Sequence, residues 1–123
     1  MANEITYAVS LAVSKGGASI SSGTLSDTIN MTGVDMGTVT QAIGTLNEAL
    51  DLPADVAGAV HLVVKNLDAA NYVEIFSDSG NANLLSKLLA GEACSLRAVP
   101  STTALYARAN TAAVQIQFWI CEV

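Results

Sequence analysis

Charged residues are scarce in this sequence of 123 residues, and basic residues are the scarcer kind. Lys and Arg number 5 against 11 Asp and Glu, which gives a formal net charge of −6. Surfaces that bind DNA or RNA use Lys and Arg to neutralise phosphates, so we expect no nucleic-acid partner. A globular chain with only 13% charged residues is expected to cover part of its surface with other subunits.

Cysteine and histidine are nearly absent, since the chain has only Cys94, Cys121 and His61. Two cysteines are too few for a disulfide framework in a chain of this length, so we expect two buried thiols that act as small hydrophobic side chains. The three residues show no metal-ligand spacing. No G-x-S-x-G motif and no phosphate-binding glycine loop accompanies the single imidazole. We therefore expect no metal, no cofactor and no enzymatic activity.

Long apolar runs are also missing. No stretch approaches the roughly 18 uncharged residues that a membrane span needs, so we expect no membrane association. The opening residues MANEITYAV contain Glu4 and no Lys or Arg, which is unlike the start of a secretory signal. We therefore expect synthesis in the cytoplasm without export.

Small apolar residues make up much of what is present. Hydrophobic residues are 51% of the chain and aromatic residues only 5%, and the mean hydropathy is +0.45. The core must therefore be built from small and branched side chains, which favour the surfaces of β-sheets. The length fits a single globular domain over residues 1–123.

Alternating apolar residues predict strands in the N-terminal part. Residues 5–14 carry an apolar side chain at every second position, which is the period of a strand. The positions on this face are Tyr7, Val9, Leu11 and Val13. A Ser- and Gly-rich turn is predicted over residues 15–23, followed by a second strand over residues 24–32.

Two segments fit either a strand or a helix. Residues 38–52 have apolar side chains at helical spacing, but Gly44 and three threonines weaken a helix. We expect a strand over residues 39–45 and then a turn that ends at Pro53. Residues 82–90 carry leucines at spacings that suit both structures, and we expect a strand there as well.

The rest of the chain predicts further short strands between turns. Residues 59–77 predict a β-hairpin with its turn at residues 68–71. Other strands are expected at residues 94–99, 105–109 and 112–123. Eight or nine short antiparallel strands are typical of an all-β fold, either a β-sandwich of the jelly-roll type or a compact barrel.

The last strand combines one apolar face with one mixed face. The apolar face consists of Val114, Ile116, Phe118 and Ile120. The opposite face starts polar and ends with Trp119, Cys121 and Val123, which are the candidate interface residues because Trp is enriched among interface anchors. A second interpretation places Trp119 under a loop of its own chain. Because a β-prone segment with so little charge would aggregate at an exposed edge, we expect this strand to be central or covered.

Three segments of the C-terminal half resemble a known group of proteins. They are VHLVVKNLDAANYVEI at 60–75, LLAGEACSLRAVPS at 88–101 and LYARANTAAVQIQFWICE at 105–122. These segments look like parts of small virion structural proteins of tailed bacteriophages, through an Asn-Leu-Asp corner, a Gly-Glu turn and a Leu-Tyr-Ala strand. The resemblance concerns fold features, and it implies a sandwich or jelly-roll subunit attached to a capsid or tail.

The resemblance implies a capsid decoration or cement protein that binds the major capsid protein and stabilises the head shell. The low charge and the Trp119 end of the last strand predict a homo-oligomer, and the resemblance favours a trimer. The resemblance also implies a protein that is made in the host cytoplasm and located in the virion. One alternative is a tail or head-to-tail accessory protein. A more distant alternative is a carbohydrate-binding sandwich, which would need an aromatic platform on its surface.

Overall fold

The computed structural model describes residues 4–31, 34–53, 56, 60–98 and 105–122, and in this part of the chain every regular element is a β-strand. The N-terminal strands are β1 Ile5–Val9, β2 Ala12–Lys15, β3 Ala18–Ser21 and β4 Leu25–Ile29. The next are β5 Met36–Ile43, β6 Glu48–Ala49, β7 Val60–Asn66 and β8 Val73–Phe76. The last are β9 Leu84–Leu88, β10 Ala93–Ala98, β11 Tyr106–Ala109 and β12 Val114–Glu122. The predicted all-β class is confirmed.

The chain divides into two compact units, Met1–Thr32 and Gly33–Val123. Each unit contains antiparallel sheets, and within the described residues no sheet closes into a barrel. The pairing agrees with a β-sandwich-like fold and not with the compact barrel. A division into two compact units does not determine whether they unfold together. The single domain over residues 1–123 therefore stays a prediction.

The first unit is a two-stranded ribbon, here called the ribbon, that runs out through β1 and β2 and back through β3 and β4. β1 pairs with β4 and β2 pairs with β3, both antiparallel. The tip is a two-residue turn at Gly16 and Gly17, whose φ angles are 60° and 85°. Positive φ at both central residues is the type I′ geometry that matches the twist of paired strands, and glycine adopts it without strain.

A β-bulge at Gly23 adjusts the register in the middle of the ribbon. Between the Val9–Leu25 pair and the Ala12–Ser21 pair, the outgoing strand has two residues and the returning strand has three. Gly23 in the longer arm has a φ of 64°, as expected for a bulge that places glycine in the left-handed region. The extra residue brings Leu25 rather than Thr24 opposite Val9, so the apolar side chains of both strands share one face.

The second unit consists of two four-stranded sheets. The front sheet has the order β10-β7-β12-β5, and the back sheet has the order β6-β11-β8-β9. One hydrophobic cluster takes side chains from both sheets, so the sheets form two layers around a shared core. Phe118 and Ile116 of β12 and Ile75 of β8 are among its members with 0% exposure. As predicted, β12 is central, because it pairs with β7 on one side and β5 on the other.

Two buried amides connect the front sheet to segments of the back sheet. Asn66, at the end of β7, donates from Nδ2 to the carbonyl oxygens of Asn71 at 2.9 Å and Leu88 at 3.1 Å. Gln41 of β5 donates from Nε2 to the carbonyl oxygen of Ala49 in β6 at 3.1 Å. Both amides are less than 9% exposed and are satisfied by backbone groups, as buried polar side chains must be.

The predicted hairpin over residues 59–77 is wrong. Its two strands exist, but β7 pairs with β10 and β12 while β8 pairs with β9 and β11. The chain crosses from the front sheet to the back sheet between them. The buried side chain of Asn66 explains the crossing, because its bonds to Asn71 and Leu88 fix the end of β7 against the second layer.

The predicted strand count of eight or nine is also too low, since the described residues alone form twelve strands. The Ser- and Gly-rich segment predicted as a turn over residues 15–23 contains β3, which pairs with β2. The predicted first strand is interrupted after Val9 and becomes β1 and β2. The ambiguous segments 38–52 and 82–90 contain strands β5, β6 and β9 and no helix in their described residues.

Candidate docking surfaces

The outward face of the front sheet, here called the front face, is the first candidate surface. Its positions alternate with the buried ones on each strand. From β10 and β7 they are Ala93, Ser95, Arg97, His61, Val63 and Lys65; from β12 and β5 they are Gln115, Gln117, Trp119, Cys121, Met36, Thr38, Thr40 and Ala42. The register of the three strand pairs arranges these side chains in rows across the sheet.

Trp119 lies in the middle of the front face. In its cross-strand row, Val63 of β7 and then Ser95 of β10 lie on one side, and Thr38 of β5 lies on the other. Trp119 is 41% exposed and Val63 is 38% exposed, so the described part of the chain does not cover this row. The next row adds Met36, which is 64% exposed, beside Cys121. An apolar centre of this kind on a sheet surface is typical of a binding site for another macromolecule.

Two basic residues lie near this apolar centre, on the β7 and β10 side of Trp119. Lys65 and Arg97 are both exposed on the front face, in the rows on either side of Trp119. None of the outward strand positions that define the front face is Asp or Glu, although the whole chain has a formal charge of −6. The front face therefore has the opposite charge to the molecule as a whole, and it suits a partner surface that is apolar and acidic.

His61 and Cys121 are cross-strand neighbours at one end of the front face. The Cys121 Sγ lies 3.6 Å from the His61 carbonyl oxygen, and the His61 Nε2 lies 3.2 Å from the Ser95 hydroxyl. Burial, and then the charge of Arg97, lowers the pKa of His61 below its ordinary value. The imidazole therefore stays neutral at pH 7, and the positive charge of the front face comes from Lys65 and Arg97.

The two cysteines lie on opposite sides of the front sheet. Cys94 packs partly buried against the core, whereas Cys121 faces outward. Burial raises the pKa of both thiols, which disfavours the reactive thiolate. Both are free cysteines. The expected role of small hydrophobic side chains fits Cys94 best, and Cys121 contributes to the front face.

The predicted interface residues fall as follows. Trp119 and Cys121 lie on the front face, whereas Val123 lies outside the described residues. The exposure of Trp119 disfavours the interpretation that a loop of its own chain covers it. Sequence reasoning missed Val63 and Met36, which join the same patch only through the register of β12 with its two neighbours.

The outward face of the back sheet, in contrast, satisfies its own polar and aromatic groups. Arg108 donates to Glu74 at 2.9 Å across β11 and β8. The same guanidinium lies 5.2 Å from the ring centroid of Phe76, which is only 2% exposed. Lys87 lies 3.9 Å from the ring centroid of Tyr72. These contacts pair the charged groups of this face within the chain and bury Phe76, although Leu84 of β9 is 50% exposed, so we rank this face below the front face as a docking surface.

The apolar face of the ribbon is the second candidate surface. Cross-strand pairs bring Val9 against Leu25 and Val13 against Ile20, with Leu11 between them. The exposed fractions of these side chains run from 43% for Val9 to 67% for Ile20. The opposite face of the ribbon carries only small Ser, Thr and Ala side chains. A two-stranded ribbon with an uncovered apolar face is at best marginally stable in water by itself.

Chemical sites are sparse in the part of the chain that the structure describes. No group of three or more His, Cys, Asp or Glu side chains there could hold a metal ion. Asp68 and Asp78 accept hydrogen bonds from nearby backbone amides, which lower the pKa of both carboxyls and define loop corners. Among those same residues, no helix is long and apolar enough to cross a membrane.

Comparison with known proteins gives no further guide to these surfaces. No protein-family model, no curated protein and no solved structure matches this chain. The proposed function therefore rests on the surfaces of the chain itself together with the sequence resemblance described above.

Proposed function

We propose that this chain is a structural protein of a tailed-bacteriophage virion, a decoration or cement protein that binds the major capsid protein and stabilises the head shell without performing a reaction. The front face carries the proposal. It combines an exposed Trp with Val63 and Met36 and with the basic residues Lys65 and Arg97. The choice of a phage virion as the assembly to which the chain binds rests on the resemblance of residues 60–75, 88–101 and 105–122 to virion proteins.

Binding to an assembled shell gives such a protein its effect. A ligand that binds the assembled lattice and not the free subunit raises the apparent stability of the lattice by mass action. Several copies linked in one oligomer add avidity, so that each contact can be weak. The trimer implied by the resemblance would present three front faces to the shell. Acidic patches on the capsid surface are the expected counterpart of Lys65 and Arg97.

The single residue with the largest expected share of the binding energy is Trp119. Replacing Trp119 with Ala should weaken binding to purified shells by about 2 kcal/mol, which is about thirtyfold in Kd. Sedimentation of labelled protein with shells measures this change. Leu46→Ala is the matched control, because Leu46 is 81% exposed and lies outside the front face. Equal binding by both variants would overturn the role of the front face.

The location of the protein in purified phage particles tests whether it belongs to the head shell. Immunogold labelling should find it on the head, and particles that lack it should break at lower temperature or in a weaker osmotic shock. Label confined to the tail would replace the proposal with a tail or head-to-tail accessory protein. Its absence from all particles would overturn the virion assignment altogether.

A further inference from the structure

We propose that the apolar face of the ribbon docks against the same face of a second copy of this chain, with the two ribbons antiparallel and a two-fold axis at Leu11. The proposal concerns a contact between copies and stands independently of the virion. It depends on three features of the described residues: an exposed apolar face, the bulge that keeps this face continuous, and the positions of two charges on it.

The face is long enough for a symmetric contact. Its exposed apolar side chains extend from the Val9–Leu25 pair to the Val13–Ile20 pair. Leu11 lies midway between those two rows and is 59% exposed. The Leu11 amide donates to the Ser22 hydroxyl at 2.9 Å, and the Ser22 amide donates to the Leu11 carbonyl, which ties the two strands at the midpoint.

The bulge at Gly23 makes the face continuous. Without the extra residue, Thr24 would stand opposite Val9 and Leu25 would point to the Ser and Thr face. With it, one face holds the larger apolar residues and the other holds small hydroxyl and methyl groups. Such a sharp division, in a ribbon whose described residues form a single layer, supports a partner for the apolar face.

The positions of two charged residues on this face favour a second ribbon that runs antiparallel to the first. Lys15 lies in the row nearest the tip, paired with Ala18, and Asp27 lies in the row of Tyr7. Lys15 and Tyr7 are each four residues from Leu11 along the outgoing strand. A two-fold axis at Leu11 that reverses the strand direction therefore brings Lys15 of each copy to the row that holds Asp27 of the other. Two equivalent opposite-charge contacts result.

A parallel arrangement lacks this complementarity. If both ribbons pointed the same way, Lys15 would lie beside the Lys15 of the second copy, and the two Asp27 side chains would also be neighbours. Like charges in such positions are destabilising. A three-fold bundle of ribbons has the same defect, because its members are parallel. In a trimeric assembly, the antiparallel contact would instead join chains of two neighbouring trimers.

Charge reversal tests the register. Lys15→Asp alone and Asp27→Lys alone should each raise the Kd of self-association about tenfold or more, because each creates like-charge contacts. The combined variant should return to within about threefold of the original Kd, since the opposite charges are restored. Within one chain the two residues lie about eight positions apart along the ribbon, roughly 26 Å, so this rescue can only act between copies.

Sedimentation velocity over a range of concentrations gives these constants, and circular dichroism verifies that each variant keeps its β spectrum. Ser14→Asp is the control, because Ser14 neighbours Lys15 on the other face of the ribbon. This variant should associate like the original chain. A stable monomer at all concentrations, or no rescue in the combined variant, would overturn the proposal.

Cross-linking gives a second readout that does not depend on affinity. In a background of Cys94→Ser and Cys121→Ser, Lys15→Cys chains mixed with Asp27→Cys chains should form a disulfide between the two variants. Lys15→Cys chains alone should remain uncross-linked. Efficient cross-links of Lys15→Cys with itself would indicate parallel ribbons and overturn the antiparallel register. Neither result depends on binding to shells. If the cross-link does not form, the antiparallel contact is wrong, and the proposed function is still decided by the shell-binding experiment.

Discussion

In the ribbon, Val13 and Ile20 face each other across two strands and are 48% and 67% exposed. In the sandwich of the second unit, Val64 and Phe118 also face each other across two strands, and both are 0% exposed. The alternation of apolar residues is the same, and only the presence of a second sheet differs. Alternation therefore identifies the face to be buried, and what buries it must come from a second layer.

This difference separates two sources of stability. The sandwich obtains its stability within the chain, because its two sheets bury side chains against each other. The ribbon has one buried hydrophobic side chain, Ile5, among its described residues. Its apolar face can contribute to stability only when another surface covers it. Substitutions in the sandwich should therefore change unfolding, and substitutions in the ribbon should change association.

The largest effect is expected in the core of the sandwich. Phe118→Ala removes a fully buried ring at the centre of the front sheet and should lower the free energy of unfolding by about 3–5 kcal/mol. Urea denaturation followed by circular dichroism measures the loss. A change below about 1 kcal/mol would mean that the two sheets do not share a tightly packed core.

The next effect is expected at the buried amide of Asn66. Asn66→Ala leaves the carbonyl oxygens of Asn71 and Leu88 without their side-chain donor, and it should cost about 2–3 kcal/mol. Asn83→Ala, at an exposed position, should change stability by less than about 0.5 kcal/mol. Equal effects of the two variants would contradict the role of Asn66 in holding the sheets together.

Asn66 also illustrates a feature of the fold, the pairing of strands, that the sequence alone could not predict. Period-two patterns located most strands, the buried face of β12 and the position of Trp119 on the opposite face, because these depend on local alternation. The sequence signal for β7 and β8 was equally clear, yet their pairing was mispredicted as a hairpin. Strand pairing depends on where a side chain such as Asn66 finds its backbone partners, which a single sequence does not contain. For the same reason, the front face could be predicted only along β12.

The ribbon and the sandwich can be compared directly with one substitution made in both. Val64→Thr places a hydroxyl in the core and should cost about 1–2 kcal/mol of unfolding free energy. Val13→Thr should change it by less than about 0.5 kcal/mol in dilute protein, because Val13 is already in contact with water. The Val13 variant should instead weaken self-association. Denaturation at two protein concentrations separates the effect on unfolding from the effect on self-association. A large loss of unfolding free energy from Val13→Thr in the dilute sample would contradict the proposed difference between ribbon and sandwich.

The smallest effect is expected from His61 on the front face. Burial and the charge of Arg97 lower its pKa in the folded chain from the ordinary value of 6.5. The unfolded chain therefore binds this proton more readily, so stability present above pH 6.5 is lost as the pH falls through the lowered pKa. His61→Gln should remove this part of the acid destabilisation. Because the side chain is partly exposed, solvent screens the effect and keeps it small.

Nuclear magnetic resonance titration can follow this histidine directly, since the chain contains only one. Its midpoint should lie below 6.5 in the folded protein. Arg97→Gln removes the nearby positive charge and should move the midpoint upward, towards but not above the ordinary value, because burial still disfavours the charged form. A midpoint above 6.5 in the unmodified chain would contradict the placement of His61 beside Arg97.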